Sequence, residues 1–151
     1  MSTATDGQIC FGIMFDEDYE FPWQQTKYNY DIKDWWLTVN NFNPSVRHLN
    51  YFPHPSLTKE EKETLYKEKA NFFEECPIPA EEVNYCSTSY PMYILAIPET
   101  VKWCSRGYPE KIGNLYAQLT DRRLEAFTGF IKQYGIETNS CPTWYLSSFW
   151  E

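Results

Sequence analysis

Val83–Pro98 reads VNYCSTSYPMYILAIP, and its second half decides the fold. Met92 to Ile97 is a continuous apolar run of strand length bounded by Pro91 and Pro98, which reads as a buried strand rather than a helix, with no ladder donor from proline at either end. Just before it stand Cys86, Ser87, Thr88 and Ser89, flanked by Tyr85 and Tyr90, so a core strand begins where hydroxyls and aromatic rings meet.

Upstream, Gln8 to Phe15 (QICFGIMF) has strand composition, and Gly12 within it marks a bulge or a close backbone approach. Residues 1–7 are small and polar and are expected to be unstructured. Asp16, Glu17, Asp18 and Glu20 make an acidic turn closed by Phe21, Pro22 and Trp23. Asp31 can cap a helix over 32–40, with Trp35, Trp36 and Val39 facing inward. The Pro-rich stretch 41–55 reads as an ordered loop. Thr58 and Glu61 form a capping box, so a helix starts there and runs to about Glu75, ended by Pro77 and Pro79.

Beyond the central strand, 100–106 alternates as a further strand, Gly107 and Pro109 mark a turn, and 115–119 is a weaker strand candidate. Thr120 and Asp121 open a helix whose apolar residues, Leu124, Phe127, Phe130, Ile131 and Tyr134, follow the 3.6-residue period to a cap at Gly135. Thr143–Trp150 (TWYLSSFW) reads as a closing strand. These elements predict one α+β domain over residues 1–151, a mostly antiparallel sheet of four to five strands packed with about three helices.

Composition narrows function. Thirteen basic against 21 acidic residues give a net charge of −8, which disfavours a nucleic-acid binder that must track phosphates with a basic face. No apolar run approaches the length of a membrane span, and the start MSTATDGQ lacks the basic and apolar regions of a secretory signal. Five cysteines at 10, 76, 86, 104 and 141 form no close pair and no disulfide framework, which places the chain in a reducing cytoplasm. Convergence of Cys10, Cys86, Cys104 and Cys141 on zinc is disfavoured by the same spacing, so neither metal nor cofactor is expected.

Twelve Tyr, 10 Phe and 6 Trp are more rings than a core of this size needs, so some are expected at the surface. The segments YPMYILAIP, CSRGYP, QYGI and WYLSSFW together resemble small, acidic, uncharacterised proteins of bacteriophages and bacteria. That resemblance implies a setting in which an accessory protein binds and disables a host component without catalysis.

Three functions stand in order. The first is a non-catalytic cytoplasmic protein that engages a partner protein through exposed rings, for which Trp23, Tyr28, Tyr30, Tyr51 and Phe52 are the candidates. The second is a pocket that sequesters a nucleotide-like ligand by stacking and a forked cation, from Tyr85, Ser87, Thr88, Tyr90, Trp103, Arg106 and Tyr108. The third is a cysteine enzyme with Cys86 as nucleophile and His48 or His54 as base, for which no local field that would ionise the thiol is visible.

Overall fold

The computed structural model describes residues 5–25, 31–46, 57–87, 89 and 91–150. Strand β1 (Thr5–Met14) organises the sheet. It begins at Thr5, so residues 5–7, expected to be unstructured, are in the ladder instead. β5 (Thr143–Trp150) runs antiparallel along one edge of it, from Thr5↔Trp150 to Gly12↔Thr143. The other edge of β1 takes two short strands in succession, β3 (Pro91–Ala96) at Gly12–Met14 and β4 (Lys102–Cys104) at Gly7–Ile9.

Between β3 and β4 the chain leaves the ladder in a 3-10 turn at Pro98–Thr100, where proline removes a donor. Thr100 repairs the gap. Fully buried, its hydroxyl accepts from Phe11 N–H (3.0 Å) and donates to Ile97 C=O (2.6 Å), while Ile97 N–H donates to Phe11 C=O (2.9 Å). Gly12 is where β3 comes closest. A Cβ there would lie 2.1 Å from Leu95 O, which is the close approach expected of this glycine.

β2 (Glu81–Ser87) pairs antiparallel with β3 from Glu81↔Ala96 to Cys86↔Pro91. Its far end meets β5 in a short parallel contact, Cys86↔Phe149 and Ser87↔Trp150, so the pairings close on themselves through β1, β5, β2 and β3. Cys86 sits at that junction with φ of 75°, a left-handed conformation that costs a non-glycine residue about 1–3 kcal/mol. The fold is therefore α+β, with a five-stranded and mostly antiparallel sheet and three α-helices among the described residues.

Two faces follow from the register. Inward go Cys10, Val83, Ile94 and Ala96, with Tyr85, Val101 and Tyr145 packed against them. Gln8, the register partner of Ser147, is almost fully buried and donates from Nε2 to Asn84 C=O (2.7 Å). Burial pushes the Cys10 thiol up to about 12, with Glu81 adding to the shift. Outward go Ile9 and Phe11 of β1 with Trp144 and Leu146 of β5.

Helix α3 (Asp121–Gln133) starts at Thr120, whose hydroxyl accepts from Arg123 N–H, and ends at Gly135 (φ 63°) with Ile136 N–H returning to Ile131 C=O. It buries Phe127 and Phe130. Residues 115–119, expected as a weak strand, instead carry a 3-10 turn at Tyr116–Gln118 with only Leu115 buried.

The residues up to Glu20 and from Pro79 onward form one compact unit, and Phe21–Ile78 forms another. In the second lie α1 (Ile32–Val39), capped by Asp31 as expected, and α2 (Lys59–Glu75), capped by the reciprocal Thr58–Glu61 box. Trp36 Nε1 donates to Cys76 C=O (2.9 Å), and Lys69 lies 3.6 Å from Asp34, tying the two helices together. Trp35 and Trp36 are buried as expected, but Val39 is exposed and Leu37 takes the inward position.

Candidate functional site

β1 and β5 leave part of their outer face open. Ile9 and Leu146 are register partners there, and Leu146 is 84% exposed. Alternation in TWYLSSFW turns Tyr145, Ser147 and Phe149 inward and Leu146, Ser148 and Trp150 outward, which fixes the side but not whether anything covers it. Next to Leu146 a ladder of rings continues the surface, Phe11 against Trp144 (5.4 Å) and Trp144 against Tyr116 (4.7 Å).

A groove of about 390 Å³ opens on this face, walled by Ile9, Lys102, Pro109, Glu110, Ile112 and Leu146. A second groove of about 460 Å³ adjoins it, and its walls include Lys102, Lys111, Ile112, Asn114 and Gln118. Lys102 and Ile112 belong to both. The turn after β4 holds the rim: Arg106 N–H donates to Asp6 Oδ1 (3.1 Å), Gly107 takes φ of 77°, and Tyr108 N–H donates to Ser105 C=O.

Of the residues expected to hold a nucleotide, Trp103 alone belongs to the groove's lining, and its ring is on the Gln8 and Phe149 side of the sheet, away from Leu146; Arg106 and Tyr108 lie in the turn beside the groove. Tyr85 packs on the inner face, and Ser87 ends β2 against Trp150. Burial, then Cys86, Asp16 and Tyr145, hold the Tyr85 hydroxyl above its ordinary range. One ring links the two groups, since Phe149 pairs with Cys86 and meets Trp103 edge-on (6.3 Å). Thr88 and Tyr90 lie outside the described residues.

Among the rings expected to meet a partner, Trp23 is fully buried, stacked on Phe21 (4.8 Å) and tilted against Trp35 (5.3 Å). That removes it as a surface contact, because its large apolar area is already spent on the interior. Tyr28, Tyr30, Tyr51 and Phe52 lie outside the described residues, as do His48 and His54. Leu146 and Ile112 went unnoticed in the sequence, where only the alternation of the closing strand signalled the former.

All five cysteines are free thiols, and among the described residues no cluster of His, Cys, Asp and Glu could hold a metal ion. No described helix is long and apolar enough to cross a membrane. Gln8 Oε1, Tyr85 OH and Ser147 Oγ are buried without a hydrogen-bond partner among the described residues. The chain matches no protein-family model, no curated protein and no solved structure.

Proposed function

We propose that this chain is a non-catalytic binding protein that takes a protein partner on the open outer face of β1 and β5, in the setting of an accessory protein that disables a host component. Leu146 carries the reading. A leucine 84% exposed on a strand, beside Ile112 and a run of outward rings, is the kind of apolar patch that marks an interaction surface. Burying one such side chain in a partner contributes about 1.5–3 kcal/mol, roughly a tenfold to hundredfold change in affinity.

Affinity capture from bacterial extract tests it, with wild type compared to Leu146→Asp. A protein retained by wild type and lost from a variant of unchanged melting temperature supports the reading. Equal retention, or nothing retained by wild type, overturns it.

A second reading, a nucleotide-like ligand, is favoured by Lys102 and Lys111 on two adjoining grooves, cations that suit a phosphate. Calorimetric titration with mononucleotides decides between the two: binding that Lys102→Ala weakens tenfold or more supports the ligand, and no heat with any of them removes it.

A further inference from the structure

We propose that the segment docking on this face is acidic as well as apolar: an extended peptide of the partner that seats an apolar side chain in the Leu146 groove and sets carboxylates against Lys102 and Lys111. The proposal rests on the reading of this face as a protein-docking surface and adds the chemistry of its occupant.

The charge balance of the two grooves carries it. The chain as a whole has a net charge of −8, so its average surface repels acidic partners. At the two adjoining grooves the walls carry Lys102 and Lys111 against Glu99 and Glu110, and Arg123 beside Glu99 tips the local balance to one positive charge. Lys102 and Lys111 line them, and neither has an ion-pair partner among the described residues. Glu99, the acid on the wall of the second groove, is engaged by Arg123 Nε at 3.3 Å. That leaves two lysines against the single Glu110.

Gln118 adds to the same polarity. Its Oε1 accepts from Arg123 Nη1 (2.9 Å), so the acceptor end of the amide is occupied and its donor end remains. At Gly113 a side chain would meet nothing within 4 Å, which leaves the backbone of that loop open to approach.

Geometry sets the order of the two features along the peptide. Lys102 pairs with Ile9 on the strand and lines both grooves, and a lysine there lays its aliphatic stem along apolar surface while its ammonium keeps to the polar side. One side chain therefore separates an apolar slot from a cationic one. Same-face residues of an extended peptide, two apart, are spaced by roughly 6–7 Å, which suits a Leu-x-Glu arrangement.

Labelled ten-residue Gly/Ser peptides carrying Leu-Ser-Glu, Leu-Ser-Lys or Ser-Ser-Glu, titrated by fluorescence polarisation, test the inference. The expected result is that Leu-Ser-Glu binds at least tenfold tighter than either of the others and weakens as salt rises, and that the double variant Lys102→Glu, Lys111→Glu transfers the preference to Leu-Ser-Lys. Both lysines are on exposed walls, and a melting curve confirms that the variant folds. Equal binding of the acidic and basic peptides, or no binding of any, overturns the acidic occupant; if Leu146→Asp still loses the captured protein, the docking surface itself stands. Retention of the captured protein by Leu146→Asp brings down the surface and the inference together. A wild-type dimer in sedimentation that Leu146→Asp dissociates would assign the face to a second copy of the chain and overturn the proposal.

Discussion

Ile9 and Leu146 oppose each other across β1 and β5 on the outward side of the sheet, and Leu146 keeps most of its surface in water. An exposed leucine contributes little to folding, so Leu146→Asp is expected to change stability by no more than about 0.5 kcal/mol. It should also lower the fluorescence of a bound apolar dye such as anilinonaphthalene sulfonate. A large loss of stability in urea unfolding would show that Leu146 is covered in solution.

Gly12 is the tightest point of the sheet. The three atoms that a Cβ would strike, Leu95 O, Ala96 Cα and Leu95 C, are backbone of β3, and none can move without breaking the ladder. Gly12→Ala is therefore expected to cost on the order of 3 kcal/mol or more, read as a lowered urea midpoint. A variant as stable as wild type would show that β3 does not lie so close.

Thr100 ties the turn between β3 and β4 to β1 by its hydroxyl rather than by backbone alone. Thr100→Val keeps the shape and leaves Phe11 N–H without its acceptor, at a cost of about 1–3 kcal/mol. Hydrogen exchange at the Phe11 amide should accelerate at the same time. Thr100→Ser, which retains the oxygen, should recover most of the loss in both measurements.

Cys10 makes the fold sensitive to alkali. Its thiol is raised from 9.0 to about 12 by burial, so the folded state holds a proton that the unfolded chain gives up earlier. Stability is then full below pH 9 and falls as pH rises from there towards 12. Tyr85 and Tyr93, also raised by burial, act in the same direction from pH 10 upward. Urea midpoints across this range should decline, and Cys10→Ala should flatten the first part of the decline. Iodoacetamide at pH 8 should modify the exposed Cys141 well before Cys10; equal rates would contradict the burial of Cys10.

What the sequence revealed depended on how many faces of an element are buried. Ile94, Leu95 and Ala96 are covered on both sides, so β3 shows as an unbroken apolar run. β2 buries Val83 while Glu81 and Asn84 remain exposed, and a strand with so thin an apolar signal was not distinguished from a polar cluster. The helix starts at Thr58 and Thr120 were legible because capping is local chemistry. Composition announced surface rings but could not say which. Trp23 went to the interior with Phe21 and Trp35, whereas the open groove was assembled from Ile9, Lys102, Ile112 and Leu146, residues far apart in sequence and joined only by sheet register and a loop.

The pairing of Thr5 with Trp150 sets the order in which the fold can assemble. β2 and β3 are adjacent in sequence and close a short loop, so they are the least costly pair to form first, and β1 can then dock at Gly12–Met14. Its longest ladder has to wait for β5, the strand most distant in the chain, which places a large share of the native contacts late in folding. During synthesis the β1 edge that later receives β5 is an unpaired template, and a chaperone or a neighbouring nascent chain has until residues 143–150 emerge to find it.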